Sequence, residues 1–180
     1  RSVRRFCDAS GELAPRGPTI WRLSAVERGA IETEFGTQIE ALIASGIQPS
    51  HLDSHQHFHT QWPVGPIVVS LARRYGVHAI RLSRNCGQPP SLMKRLYKTV
   101  YNARLSRSGL APTRHFGSAG DVDALEHIKG PVEIMVHPEL DAAGRVVNAM
   151  ADGHGGAEPL EPVASTWRQR GTLASFRELS

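Results

Sequence analysis

Pro49-Ser50-His51-Leu52-Asp53-Ser54-His55-Gln56-His57 reads as a β-strand. Pro63 then opens a helical stretch that runs through Tyr75 and stops at Gly76. Val77-His78-Ala79-Ile80-Arg81-Leu82 reads as a second short strand. Strand, helix and strand in succession make a βαβ unit, which implies parallel strands and an α/β fold. The alternation continues outward from this unit. Upstream, Ser24 and Glu27 have capping-box spacing and start a helix. Its Val26, Ile31, Phe35, Ile39, Leu42 and Ile43 fall on one apolar stripe, and Gly46 is placed to cap its end. Downstream, Ser91 to Leu105 reads as a basic amphipathic helix, and Asp121 caps a short helix reaching Lys129. Val132 to Val136 is a third strand, ending at His137-Pro138, where the proline is expected to end the pairing. A helix near Val163–Arg170 precedes a last strand, Leu173–Phe176. Residues 1–23 read as loop, with a turn over Phe6–Leu13, and Gly153-His154-Gly155-Gly156 as a flexible loop.

The 180 residues suffice for a single domain with a real core, spanning 1–180. A composition of 40% apolar and 21% charged residues is that of a soluble globular protein, and no apolar run is long enough to span a bilayer. Arg1-Ser2-Val3-Arg4-Arg5 leads into no apolar segment, so no secretory signal is read and the cytoplasm is the expected location. Cys7 and Cys86 lack C-x-x-C spacing, which argues against a thiolate zinc site; each reads as a small buried hydrophobe. The net charge of +4 is unevenly spread. No Asp or Glu occurs from Ser54 to Gly120, while Arg73, Arg74, Arg81, Arg84, Lys94, Arg95, Lys98, Arg104, Arg107 and Arg114 fall within that span. Such a block suits an anionic surface, a phosphorylated substrate or nucleic acid. No basic-aromatic interleaving or nucleic-acid motif accompanies it, so nucleic acid is set aside and a solvated helix face is preferred.

Side chains on a strand alternate faces. His51, Asp53, His55, His57 and His59 are therefore expected on one face, and Leu52, Ser54, Gln56 and Phe58 on the other. Burying four imidazoles and a carboxylate without partners would cost several kcal/mol, so a polar cavity at a strand end explains the face better than an apolar core. Neutral imidazole is the commonest metal ligand, and a carboxylate nearby can ligate or orient it. A His-rich surface strand is the bland alternative. A nucleophilic triad is disfavoured, because no Gly-x-Ser-x-Gly elbow occurs and Cys86 has no evident base. His137, at the end of an apolar strand and on one face with Glu133 and Met135, is placed for general acid/base work.

These residues resemble a known family. His51-Leu52-Asp53-Ser54-His55-Gln56-His57-Phe58-His59 looks like the central motif of the YdjC-like carbohydrate deacetylases, the family of the chitooligosaccharide deacetylases. The resemblance continues through Gly76-Val77 to Arg81, His115-Phe116-Gly117, Glu133-Ile134-Met135-Val136-His137-Pro138 and Gly171 to Leu179. It implies a distorted (β/α) barrel of the polysaccharide-deacetylase-like type. The implied activity is metal-dependent hydrolysis of N-acetyl groups on sugars. By position in the motif, His55 is the implied metal ligand and His137 the implied catalytic acid for the leaving amine. Asp53, His57, His59 and Arg81 are implied to bind substrate or orient a ligand. The cation is Mg²⁺ or Zn²⁺: His-rich ligation favours zinc, while the resemblance allows magnesium.

The sequence departs from the family in one respect. The paired aspartates and the Gly-x-His-type histidine of the family do not occur before residue 50. The expectation is thus a domain lacking its N-terminal strands, poorly active as it stands, with the hopanoid-biosynthesis-associated deacetylases as a candidate subgroup. Two other readings compete: a non-catalytic sugar- or anion-binding protein acting through the basic region 73–114, and a different zinc-dependent hydrolase. An N-acetylated carbohydrate is the expected partner, and a homodimer is compatible with each reading.

Overall fold

The computed structural model describes Phe6 and residues 20–87, 91–121, 128–149 and 158–179. The expected turn over Phe6–Leu13 (beyond Phe6 itself), the body of the Asp121–Lys129 helix and the Gly153–Gly156 loop lie outside these residues. Two compact units are present. The first takes in described residues up to Ser83 together with 100–112; the second takes in 84–99 and the described residues from Thr113 to Leu179.

In the first unit, helix α1 covers Ala25–Ala44 and starts with the capping box read from the sequence. Glu27 N–H donates to Ser24 Oγ at 3.2 Å, and Ser24 N–H donates to Glu27 Oε2 at 2.8 Å. Two of the helix's orphan backbone donors are thereby satisfied. The helix ends at Ser45, followed by Gly46 as expected. Its apolar stripe is only partly used. Ile31 and Ile39 are buried, while Val26 and Leu42 remain exposed.

Strands β1 (His51–Leu52) and β2 (Ala79–Ile80) pair in parallel, with His51 opposite Ala79 and Leu52 opposite Ile80. Helix α2 (Gly65–Arg74) forms the crossover, with Pro66 in its first turn, where a missing N–H costs nothing. This is the βαβ unit expected from the sequence, with both strands cut short. Ile67, Val68, Leu71 and Ala72 of α2 pack with Val77, Ala79, Ile80 and Leu82 to form the core. Fully burying a side chain of this size contributes roughly 1.5–3 kcal/mol. Arg74 Nη2 donates to Glu32 at 2.6 Å and Tyr75 Oη to Glu40 at 2.5 Å, tying the end of α2 to α1.

Helix α3 covers Leu92–Ser106; its residues 92–99 belong to the second unit and 100–106 to the first. Tyr101, Asn102 and Leu105 are its buried residues. Asn102 holds Ser83 at both backbone groups: Ser83 N–H donates to Oδ1 and Nδ2–H donates to Ser83 O, each at 2.8 Å.

In the second unit, β3 (His115–Ser118) and β4 (Val132–Met135) pair in parallel, with Phe116 opposite Glu133. Phe116 is fully buried. Strands β5 (Pro138–Leu140), β6 (Val146–Asn148) and β7 (Glu158–Pro159) form an antiparallel sheet. Helix α4 (Leu160–Arg170) follows. Two expectations are corrected here. Pro138 opens β5 instead of ending the pairing, because a proline is tolerated at the first residue of a strand. Leu173–Phe176 forms no strand and joins none of the sheets of the described residues.

The fold is α/β, and among the described residues no sheet closes into a barrel: the three sheets have two, two and three strands. Among these residues, too, no helix is long and apolar enough to cross a membrane.

Candidate functional site

The histidine segment leaves the strand earlier than alternation predicts. β1 ends at Leu52, and His55–Thr60 is a 3-10 segment with a kink. Gln56 (φ 52°) and His57 (φ 58°) both adopt the left-handed region, which is uncommon for residues with a Cβ and costs of order 1–3 kcal/mol each. The single face expected for His51, Asp53, His55, His57 and His59 is therefore broken.

The cause is local. Ser54 Oγ accepts the backbone N–H of His59 at 2.8 Å and lies 2.7 Å from His59 Nδ1. A serine hydroxyl offers the chain an alternative to the strand ladder, and here that alternative folds five residues back on themselves.

His59 is buried at 0% exposure. Its Nε2–H donates to the Arg81 carbonyl at 3.0 Å, leaving Nδ1 to accept the Ser54 hydroxyl proton. Both ring nitrogens are thus engaged, and the ring is a neutral strut. Burial above all lowers its pKa to about 4; the charges of His57 and Arg81 act in the same direction, while Asp53 and the Arg81 carbonyl oppose them. Tyr101 Oη donates to the His59 backbone carbonyl at 2.7 Å, fixing the segment from α3. Phe58 packs edge-on against Phe35 (6.1 Å between centroids) and Phe6 (5.9 Å). Tyr101→Phe keeps the ring and removes the donor. It is expected to cost about 1 kcal/mol in denaturant unfolding and to increase amide exchange across residues 55–60; unchanged exchange there would show that the hydroxyl does not hold the segment.

The other sequence-predicted residues distribute as follows. The His57 ring is half-buried, 6.5 Å from that of His59 and nearly perpendicular to it. Asp53 is exposed and ion-paired with Arg81 Nη1. Asp53, His57, His59 and Arg81 are thus brought within electrostatic reach of one another. His55 is exposed on the kink. His137 lies in the second unit, between β4 and β5. Its N–H donates to Asn148 Oδ1 at 2.9 Å and its carbonyl accepts from Ala149 N–H at 2.9 Å, so β6 clamps its backbone from both sides while the ring stays half-buried.

A catalytic zinc takes roughly three protein donors, and calcium or magnesium more oxygen ligands still. Among the described residues no three His, Cys, Asp or Glu side chains come together to hold a cation. His59 is excluded by its hydrogen bonds, and Asp53 is paired with Arg81. The described side chains do not, by themselves, fit a divalent metal.

Sequence reading missed the β5–β6 hairpin that clamps His137. Its signal is present: Asp141-Ala142-Ala143-Gly144-Arg145 is a turn sequence between Glu139-Leu140 and Val146-Val147. Asp141 organises it, accepting from Ala143 N–H (2.9 Å), Arg145 N–H (2.8 Å) and Arg145 Nε (2.8 Å).

Comparison with known proteins gives a consistent picture. The chain is 34% identical to a carbohydrate deacetylase of Halalkalibacterium halodurans over 111 residues, which cover 60% of this chain and 43% of that protein. It is 33% identical to a carbohydrate deacetylase of Vibrio parahaemolyticus over 119 residues, 66% of this chain and 44% of that protein. To a carbohydrate deacetylase of Geobacillus stearothermophilus it is 41% identical over 73 residues, 41% of this chain and 29% of that protein. These alignments span less than half the length of each relative. No solved structure matches the chain. The family of YdjC-like proteins matches residues 1–171, nearly the whole sequence, and the chain belongs to that family.

Proposed function

We propose that the chain acts in the hydrolytic deacetylation of an N-acetylated saccharide. The observation that carries this reading is the family match over residues 1–171, joined to relatives named carbohydrate deacetylases. Amide hydrolysis needs a water to attack the acetyl carbon and a proton delivered to the departing amine. His137 is the proton donor in this reading. The β6 clamp on its backbone supports the role, since a general acid works only when held within hydrogen-bond reach of its acceptor. The Arg81–Asp53 pair offers a charged donor and acceptor to sugar hydroxyls, and the His57 and His59 rings lie within electrostatic reach of it. His55 is the donor we assign to a divalent cation, Mg²⁺ or Zn²⁺. Its exposed ring supports that role, but it needs further donors to complete a site. The parallel pairs β1–β2 and β3–β4 are read as segments of a distorted (β/α) barrel.

The test is acetate release from N-acetylated oligosaccharides with and without added Mg²⁺ or Zn²⁺, alongside calorimetric titration with the same sugars. The expected result is saccharide binding with weak cation-stimulated release, abolished in His55→Ala and His137→Ala while the fold persists. A chain that neither binds these sugars nor releases acetate would overturn the reading. Full activity in both variants would overturn the residue roles.

A further inference from the structure

Three arginines in the first unit, remote in role from the histidine segment, face one groove. The groove encloses about 470 Å³ between α2 and the end of α3, within the roughly 300–1,000 Å³ range of small-molecule sites. Arg73, Arg104 and Arg107 line it, with the hydroxyl-bearing Ser70 and Ser108. Gly65 opens its floor: a Cβ at that position would lie 2.9 Å from Tyr101 Oη.

The charges are unbalanced. Among the described residues no Asp or Glu lines the groove. Elsewhere several arginines have acidic partners: Arg74 with Glu32, Arg81 with Asp53, Arg84 with Asp121, Arg145 with Asp141 and Arg168 with Glu161. Arg73 and Arg74 are neighbours on α2, yet Arg74 turns to Glu32 while Arg73 turns to the groove and donates only to the Ser108 carbonyl, at 3.1 Å. Arg104 lies over the Trp62 ring, 4.7 Å from its centroid. That stacking holds the plane of the guanidinium and leaves its N–H edge available. The Arg107 N–H donates to the Ala103 carbonyl, and its guanidinium has no hydrogen-bond or ion-pair partner among the described residues. Like charges gathered without a counter-ion repel one another, and an anion seated among them relieves that repulsion.

We propose that this groove binds a phosphate monoester of a small polar molecule. A phosphate group carries nearly two negative charges at neutral pH and three terminal oxygens, matching several guanidinium forks better than a single carboxylate would. The Ser70 hydroxyl and the groove volume suit a polar, sugar-sized body attached to it; the Ser108 hydroxyl is already bonded to the Leu105 carbonyl. The site stands apart from the proposed deacetylation and does not depend on it.

Titration by calorimetry or NMR with inorganic phosphate, a hexose 6-phosphate and the neutral hexose tests the assignment. Both phosphates are expected to bind, the neutral hexose not, and affinity should fall steeply with added salt. Tighter binding of the ester identifies a phosphorylated molecule as the ligand; equal binding identifies phosphate itself. Arg107→Gln should weaken phosphate binding about tenfold, and Arg104→Gln/Arg107→Gln by a larger factor. Arg145→Gln removes the same charge from the second unit and should change nothing. The proposal is overturned by an absence of phosphate binding at millimolar concentration, by wild-type affinity in a double variant with unchanged circular dichroism, or by equal losses in Arg145→Gln and Arg107→Gln.

Discussion

Asp121→Ala is expected to destabilise the second unit by about 3 kcal/mol in urea unfolding. Asp121 is buried, with 7% exposure, and its carboxylate is the acceptor for four donors. Arg84 Nε and Nη2 reach Oδ2 and Oδ1 at 3.0 and 2.9 Å, a bidentate pair. Ser118 N–H donates to Oδ2 at 2.8 Å and Ser118 Oγ at 3.3 Å. The surroundings are shaped to admit the carboxylate: Gly87 sits at φ +80°, and a Cβ built there would collide with Asp121 Oδ1. Removing one member of a buried pair leaves the other charge uncompensated, which costs about 3–5 kcal/mol; the partial exposure of Arg84 sets the expectation at the lower end. Asp121→Asn keeps an acceptor for the Ser118 N–H and loses the charge, so about half that loss is expected. A change below about 0.5 kcal/mol in Asp121→Ala, the range of an ordinary surface substitution, would mean the pair does not hold the unit together.

The second large effect is acid destabilisation through His59. In the folded chain, burial lowers this ring's pKa to about 4 from its ordinary 6.5. Between those values the unfolded chain holds a proton that the folded chain does not. Stability therefore rises with pH across the window. At pH 7 both states are neutral and the native hydrogen bonds are intact. As the pH falls from 6.5 toward 4, stability is progressively lost, and the full penalty, about 3 kcal/mol, is reached below the folded pKa. Unfolding free energies of the wild type and His59→Gln, each measured at pH 7 and pH 4, isolate this contribution, because the carboxylates titrate in both proteins. The wild type should lose about 3 kcal/mol more than the variant over this range. Parallel pH dependences would show that His59 is not held neutral in the folded state.

How much of this was legible beforehand depended on the range of the interaction responsible. The capping box of α1 and the termination of α2 near Gly76 could be read, because each rests on contacts between near neighbours in the chain; the parallel βαβ unit could be read because strand, helix and strand in succession admit that pairing, although it joins His51 to the distant Ala79. The motif from His51 to His59 and the His137-Pro138 pair likewise carried the family resemblance without any structure. The geometry of that motif could not be read. Period-two alternation holds only while the backbone stays extended, and Ser54 captures His59 within the same segment, so Gln56 and His57 turn left-handed and His59 points inward. The apolar stripe of α1 marked residues able to be buried, yet Val26 and Leu42 stay exposed, because a stripe does not say what packs opposite it.

The amino-acid sequence by itself determined the βαβ order, the capped start of α1, the family and the acid-free basic block from Ser54 to Gly120, all of which are properties of order along the chain. Only the tertiary structure decided that His59 is a buried strut, that β6 clamps His137, and that Arg73, Arg104 and Arg107 line one groove while Arg74 and Arg84 find carboxylates. Those outcomes depend on which distant side chains meet and on which water is excluded, and for a charge or an imidazole these two conditions set the energy.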